Sequence, residues 1–199
     1  MNILGLIFAR KGSKRLKNKN IKYLKNKPLI YWTLKLSKQK NKINNYLLST
    51  NYSSINKLIK NFNIVTNGKR PEYLSTSKST SYEVANYEIK KYEKKYSKIN
   101  IIVLLQPTSP YRSNKILNKA INIFIDNKMT RSVVSYNKKF NKLFPNGNFY
   151  ITSPELIRQE KNFFSNKSIF VPMSHPRFSI DIDTYSDYIE AKKYLEFLN

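Results

Sequence analysis

The sequence is organised as short, uncharged apolar runs that alternate with segments of helical periodicity. The first run, Ile3–Phe8, reads as a buried strand. Further strands are predicted at 46–50, 64–66, 99–105, 131–136, 149–151 and 168–171, and helices at 27–40, 51–61, 82–96, 114–126 and 185–198. Because strands separated by helices form βαβ units with right-handed crossovers, this alternation predicts a single α/β domain around a parallel sheet.

The loop Ala9–Lys22 leaves the first predicted strand and carries Gly12, Ser13 and several cations. In open α/β sheets, ligands bind outside the carboxyl ends of the strands. A glycine there lets backbone N–H groups approach an anion, and Arg and Lys neutralise it. The position predicts a polyphosphate-binding loop; the alternative is a solvated basic loop. With Gly12 as its one glycine, the loop matches neither the Walker A pattern nor G-x-G-x-x-G.

Two further segments place polar groups after predicted elements. Gln106, Thr108 and Arg112 follow the strongest strand, 99–105, in a loop that Pro107 and Pro110 constrain. The hydroxyl cluster 75–81 precedes a helix, where it either caps that helix or contacts a base or ribose. The proline-containing loop is either part of a binding edge or a rigid turn.

Asp181 and Asp183 form a D-x-D pair in a chain with only 12 acidic residues. In a strand the two side chains would point to the same side, and such a pair is costly without a cation between them. Paired carboxylates with phosphate oxygens are the usual ligands of Mg²⁺. The pattern therefore predicts a metal site, and the alternative is a cap for the helix 185–198.

Composition limits the function classes. The chain has no cysteine, which excludes disulfides, thiolate metal sites and a cysteine nucleophile. The net charge of +25 suggests a polyanionic partner, but the lysines are spread along the chain, so we do not expect nucleic-acid binding. No run has the length of a membrane span or a signal peptide core, and we expect a cytoplasmic protein. The lone histidine, His175, receives no role.

Taken together, the motifs resemble the bacterial acylneuraminate cytidylyltransferases, or CMP-sialic acid synthetases. The resemblance covers nearly the whole chain, in the family's order. Its segments are Ala-Arg-x-Gly-Ser-Lys-Arg at 9–15, Lys-Asn-Ile-Lys at 19–22, Lys-Pro-Leu-Ile at 27–30, Ser-Thr at 49–50, Arg-Pro-Glu-x-Leu at 70–74, Leu-Leu-Gln-Pro-Thr-Ser-Pro-Tyr-Arg at 104–112, Ser-Val-Val-Ser at 132–135, Pro-Asn-Gly-x-x-Tyr-Ile at 145–151 and Ser-Ile-Asp-Ile-Asp-Thr at 179–184.

The resemblance implies a three-layer α/β/α Rossmann-like fold of the nucleotide-diphospho-sugar transferase type. It also implies transfer of CMP from CTP to the anomeric hydroxyl of a sialic-acid-like 3-deoxy-2-ulosonic acid, releasing pyrophosphate. Carried over by motif, nucleotide binding falls to Ala9, Arg10, Gly12, Ser13, Lys14, Asn20, Arg70 and Ser81, sugar binding to Gln106, Thr108 and Tyr150, catalysis to Arg10, Lys19, Asp181 and Asp183, and Mg²⁺ (or Mn²⁺) binding to Asp181 and Asp183.

The sequence departs from the family most between residues 136 and 148. Relatives carry there a dimerisation subdomain of some tens of residues, of which only a shortened remnant is left. We therefore expect a monomer or an altered homodimer, in which Phe163 and Phe164 resemble family contact residues. The acceptor stays open among sialic, legionaminic, pseudaminic and 3-deoxy-octulosonic acids. A degenerate member that binds nucleotide without turnover is a further alternative, and a basic nucleic-acid-binding protein is the least favoured.

Overall fold

A computed structural model describes residues 1–139, 142–173 and 175–198. Short 3₁₀ turns at 19–21, 35–38, 72–74, 176–179 and 195–197 connect the regular elements. The strands are β1 Ile3–Ala9, β2 Tyr23–Leu24, β3 Lys27–Pro28, β4 Asn45–Thr50, β5 Ile64–Val65, β6 Ile101–Leu104, β7 Val133–Lys139, β8 Lys142–Thr152 and β9 Ile169–Pro172. The helices are α1 Leu29–Leu34, α2 Ser53–Ile59, α3 Ser81–Lys95, α4 Asn114–Asp126, α5 Pro154–Glu160 and α6 Tyr185–Lys192.

Seven strands form one sheet in the order β5-β4-β1-β6-β8-β7-β9, and β2 and β3 form a separate small hairpin. The pairs β1–β4, β1–β6, β4–β5 and β7–β9 are parallel. β8 runs antiparallel to both of its neighbours. The predicted, mostly parallel α/β sheet is therefore confirmed, with one reversed strand near the β9 edge.

Helices cover both faces of the sheet, which gives the three-layer architecture. Along β1, Ile3 and Ile7 pack with α1, α2 and α4, whereas Leu4 and Leu6 pack with α3 and α5. The alternation follows from the two-residue period of a strand. Among the described residues, none of the helices is both long and apolar enough to cross a membrane.

A third apolar cluster joins the two ends of the chain. Leu16, from the loop after β1, packs with Trp32 of α1 and with Phe178, Ile180 and Ile182. Ile182 is fully buried. Burial of these side chains stabilises the contact between the cationic loop and the segment that carries the two aspartates.

The segment 131–151 differs from its prediction. The expected connection between two short strands is itself strand, because β7 and β8 pair as an antiparallel hairpin up to Lys139 and Lys142. The turn-like sequence Pro145–Gly147 lies inside β8, and the pairing register shifts between Val134 and Tyr136. Within the segment 136–148, the described residues 136–139 and 142–148 belong to these two strands.

Other elements of the structure also differ from the sequence predictions. The segment at 180–184 is not a strand, so the alternation argument for Asp181 and Asp183 was wrong. Helix α1 covers only Leu29–Leu34, because Lys27 and Pro28 belong to strand β3, and α6 ends at Lys192 rather than at 198. Helix α5 was not predicted, although Ser153 caps it and Pro154 occupies its first position. Thr184 and Asp187 form the capping box of α6, so neither Asp181 nor Asp183 is its cap.

Candidate functional site

A cavity of about 540 Å³ opens at the carboxyl ends of β1 and β6. The chain crosses from β1 to β4 through α1 on one face of the sheet, and from β5 to β6 through α3 on the other face. The strand order therefore reverses between β1 and β6, which is where open α/β sheets bind ligands. Phe8 from β1 and Leu104 from β6 form part of the cavity wall.

The loop after β1 supplies the cationic wall of the cavity. Arg10, Ser13, Lys14 and Lys19 line it. The side chain of Asn20 is almost fully buried and donates a hydrogen bond to the backbone oxygen of Arg10 at 3.1 Å. This bond ties the short 3₁₀ turn at 19–21 to the start of the loop, so the cations face one space.

The two aspartates lie on the same cavity but in different environments. Asp183 accepts hydrogen bonds from Lys19 Nζ at 2.5 Å and from Arg15 Nη2. Asp181 is more deeply placed, and its Oδ1 is buried with no hydrogen-bond partner among the described residues. Burial raises the pKa of Asp181, while the Thr108 hydroxyl acts in the opposite direction.

Backbone bonding fixes the aspartate segment to the loop after β6. Ile182 N–H donates to the Thr108 backbone oxygen at 2.8 Å. Asp183 N–H donates to Asp187 Oδ2 at 3.0 Å, which links the segment to the capping box of α6. The pair of acids is thus held by its backbone, not by strand geometry.

The opposite wall carries Arg70 and the hydroxyl cluster. Arg70 is 3% exposed, and its Nε and Nη2 donate to the Ser49 hydroxyl at 2.9 Å and to the Ser49 backbone oxygen at 2.7 Å. Burial lowers the pKa of Arg70 to about 10. Ser81 begins α3, and Thr80 caps that helix; both line the cavity.

A third wall combines an amide with aromatic rings. Gln106 N–H donates to the Gly147 backbone oxygen at 3.2 Å. Gly147 has φ of +74°, and a Cβ atom there would lie 2.2 Å from Gln106 Oε1, so only glycine fits beside this amide. The Tyr150 ring packs against Phe163 and Phe164, with centroids 6.2 and 5.9 Å away.

Most of the sequence-predicted site residues therefore meet around one cavity. Two do not: Ala9 is buried in the sheet, and Gly12 lies in the loop away from the cavity wall. The predicted residues that line the cavity are Arg10, Ser13, Lys14, Lys19, Asn20, Arg70, Ser81, Gln106, Thr108, Tyr150, Asp181 and Asp183.

For two arginines, the position in the structure differs from the sequence prediction. Arg15 was quoted in a motif without a role, yet it lines the cavity and contacts Asp183; nothing in a run of cations distinguishes it from its neighbours. Arg112 was placed at the binding edge but does not line the cavity. It donates instead to backbone oxygens of Gln106 and Asn148 and to the Thr33 hydroxyl.

Solved structures with the same fold are nucleotidyltransferases. A cytidylyltransferase from Leptospira borgpetersenii aligns with a TM-score of 0.69 at 20% identity, covering 100% of this chain and 88% of that chain. A CMP:2-keto-3-deoxy-manno-octonic acid synthetase in complex with CTP also aligns with a TM-score of 0.69, at 11% identity, covering 98% and 99%. At these identities the likeness concerns the fold.

Curated relatives are sugar-acid cytidylyltransferases. The N-acylneuraminate cytidylyltransferase of Streptococcus agalactiae is 27% identical over 229 residues, covering 99% of this chain and 54% of the relative. The CMP-N,N'-diacetyllegionaminic acid synthase of Legionella pneumophila is 28% identical, covering 98% and 97%. This chain spans about half the length of the first of these relatives and nearly all of the second.

The alignment with the first of these relatives is longer than this chain. It exceeds the 199 residues of this chain by 30 positions, so the relative carries extra residues within the matched region.

Finally, a model of the family described as "Cytidylyltransferase" matches residues 4–197, nearly the whole chain. The chain belongs to the cytidylyltransferase family.

Proposed function

We propose that this chain transfers CMP from CTP to the anomeric hydroxyl of a sialic-acid-like 3-deoxy-2-ulosonic acid and releases pyrophosphate. One observation carries the proposal: a single cavity at the β1–β6 switch point joins a cationic loop, a buried arginine and two aspartates. The names of the relatives support the reaction class, and they include sialic, legionaminic and pseudaminic acid enzymes.

The cationic loop binds the triphosphate in this proposal. Arg10, Lys14 and Lys19 neutralise its charge and stabilise the departing pyrophosphate. Arg70 and Ser81 contact the cytosine and ribose from the opposite wall, and Gln106 with Tyr150 orients the sugar acid. The anomeric hydroxyl then attacks the α-phosphorus in line, so that a new C–O–P linkage forms as the bond to pyrophosphate breaks. Asp181, Asp183 or a water takes the hydroxyl proton.

The aspartates fit a divalent cation. Asp181 offers a buried carboxylate oxygen without a partner, and carboxylate oxygens are the donors that Mg²⁺ and Mn²⁺ prefer. Among the described residues, no group of three or more His, Cys, Asp or Glu side chains could hold a metal ion, so phosphate and water oxygens would complete the shell. Bound there, Mg²⁺ would polarise the α-phosphate. Asp183 would serve as second ligand on release from Lys19 and Arg15.

The experiment is pyrophosphate release from CTP with each of four acceptors: N-acetylneuraminate, diacetyllegionaminate, pseudaminate and 3-deoxy-octulosonate. We expect turnover with at least one of them, lost on adding EDTA. Asp181→Asn and Asp183→Asn should each abolish metal-dependent turnover without unfolding the protein. Asp126→Asn, at the exposed end of α4, is the matched control. CTP binding without turnover on any acceptor would favour a degenerate nucleotide-binding member.

Oligomeric state and location remain predictions. Phe163, one of the two residues expected at a subunit contact, is 2% exposed and packs against Tyr150. The contact of an altered homodimer would therefore fall to Leu143 and Phe144, which the hairpin β7–β8 exposes at 45% and 46%. Sedimentation of the parent and of Phe144→Ser distinguishes a monomer from a dimer built on this hairpin.

Dependence on CTP agrees with the predicted cytoplasmic location, and we propose no nucleic-acid partner.

A further inference from the structure

A buried carboxylate on α3 has no part in the reaction proposed above. Glu88 is 1% exposed and does not line the cavity. The Ser49 hydroxyl donates to its Oε1 at 2.5 Å, and Asn67 Nδ2 donates to its Oε2 at 2.8 Å. A buried acid in a chain with 12 acidic residues calls for a physical reason.

The direction of these hydrogen bonds connects Glu88 to the cavity. A serine hydroxyl has one proton, and that of Ser49 is directed to Glu88. Its oxygen therefore presents lone pairs to Arg70, whose Nε donates to it at 2.9 Å. Arg70 Nη2 donates to the backbone oxygen of the same serine. Glu88 thus orders a hydroxyl that orders a cation on the cavity wall.

We propose that Glu88 and Ser49 are positioning residues that hold the Arg70 guanidinium in its nucleotide-binding orientation. The proposal rests on the proposed function, because it takes CTP as the ligand that Arg70 meets. The negative charge of Glu88 also favours the charged form of Arg70, whereas the like charge of Arg10 disfavours it. Without the carboxylate, the Ser49 hydroxyl loses its acceptor and its proton can turn toward Arg70 Nε, so only the Nη2 bond to the Ser49 backbone oxygen still orients the guanidinium.

A purely structural role for Glu88 makes a different prediction. Glu88 also accepts a hydrogen bond from Asn67, whose backbone oxygen accepts one from Lys91 Nζ at 2.8 Å. On this view, loss of the Glu88 carboxylate would simply loosen the loop before Arg70. That role predicts lower stability with unchanged CTP affinity in the folded fraction. The positioning role predicts a specific loss of CTP affinity.

The test compares three variants with one control. Ser49→Ala removes only the relay oxygen and is the least disruptive. Glu88→Leu removes the acceptor, whereas Glu88→Gln keeps a carbonyl oxygen for Ser49 and so should rescue part of the effect. Glu93→Gln, on the same helix, is the matched control: Glu93 accepts from Ile99 N–H at 3.0 Å and lies 3.8 Å from Arg158.

We expect Ser49→Ala and Glu88→Leu to weaken CTP binding, measured by calorimetry, roughly tenfold. The KM for CTP should rise while kcat at saturating CTP stays within about twofold, since the lost contact is made in the ground state as well. Neither change should weaken CTP binding further when added to Arg70→Ala, because both act through Arg70. Glu93→Gln should bind CTP as the parent does.

A second readout does not depend on CTP. The Arg70 Nε–H should give a slowly exchanging ¹H–¹⁵N signal in the parent and in Glu88→Gln, and a fast-exchanging one in Ser49→Ala and Glu88→Leu. An unchanged signal in both of the latter variants, or losses of affinity that add to that of Arg70→Ala, would overturn the positioning role. A parent that binds no CTP but shows the expected signals would instead refute the proposed nucleotide and keep the relay.

Discussion

Two corners of the molecule each hold an arginine, Arg70 buried and Arg112 half-buried, and the two side chains are used differently. In the Arg70 corner, protein hydrogen bonds engage Nε and Nη2 through a single residue, Ser49, and the side chain lines the large cavity. In the Arg112 corner, all three guanidinium nitrogens donate to protein oxygens, and the side chain lies outside that cavity.

Burial lowers the pKa of both side chains, to about 10 for Arg70 and about 9 for Arg112. The lowered pKa therefore does not distinguish the two arginines from each other. The two arginines differ in the hydrogen bonds of their guanidinium nitrogens. Arg70 lines the cavity, and its Nη1 makes no hydrogen bond to the described residues, whereas each of the three nitrogens of Arg112 donates one. The difference predicts that substitutions in the two corners will affect different measurements.

The largest effect is expected in the structural corner. Arg112→Met would remove the Nε donor to the Asn148 backbone oxygen and one of the two donors to the Gln106 backbone oxygen, which keeps the Ser109 N–H. We therefore expect the free energy of unfolding in urea to fall by about 3 kcal/mol. Arg131→Met is the control, because that exposed side chain donates to the Lys167 backbone oxygen. A stability loss no greater than that of the control would contradict the comparison.

The next effect tests the binding corner. Arg70→Met should weaken CTP binding by about 2 kcal/mol, roughly thirtyfold, because a charged hydrogen-bond donor at the cavity wall is lost. Its stability loss should be smaller than that of Arg112→Met. Calorimetry with CTP and urea unfolding on the same samples check both statements. A variant that unfolds readily yet binds CTP normally when folded would reverse the two assignments.

A third effect concerns the part of β8 to which Arg112 donates hydrogen bonds. In Gly147→Ala the added Cβ meets the Gln106 side chain at φ of +74°, so Gln106 must move. We expect the KM for the sugar acid to rise about tenfold through this misplacement, with CTP affinity unchanged. Gly68→Ala is the control: its φ is +95°, but its Cβ meets no described atom within 4 Å. Equal effects of both variants would show that backbone strain alone is responsible.

The sequence predicted the parallel half of the sheet better than the antiparallel half. The runs at 3–8 and 46–50 are uncharged and bounded by loops, so their period and length identify them as buried strands. The hairpin β7–β8 contains Pro145, Asn146 and Gly147, which favour a turn locally. Tertiary pairing with β6 and β7 overrides that preference, and no local pattern encodes it.

The candidate site was predictable to a similar extent. Residues in motifs at strand ends, such as Arg10 and Gln106, reach the cavity because parallel strands share one carboxyl edge. Asp181 and Asp183 also reach it, although not as a strand, because Ile182 anchors them through burial and a backbone bond to Thr108. The relay from Glu88 was not predictable, since it depends on three elements that are distant in sequence.

The smallest expected effects concern the residues that cap the helices in the two corners, Thr80 for α3 and Ser113 for α4. Thr80 Oγ1 accepts from Glu83 N–H at 3.1 Å, and Glu83 Oε2 accepts in return from Thr80 N–H at 2.7 Å. Ser113 Oγ accepts from Ile116 N–H at only 3.4 Å, without a reciprocal bond. Thr80→Ala should therefore lower the free energy of unfolding by about 1 kcal/mol, and Ser113→Ala by about 0.5 kcal/mol.

The two caps also differ in what they adjoin. Thr80 lines the cavity and Ser113 does not, so only Thr80→Ala should change CTP affinity, by a few-fold at most. Urea unfolding and CTP calorimetry on both alanine variants measure the two effects separately. A change in CTP affinity for Ser113→Ala equal to that for Thr80→Ala would mean that the Arg112 corner communicates with the nucleotide, and the division between the corners would fail.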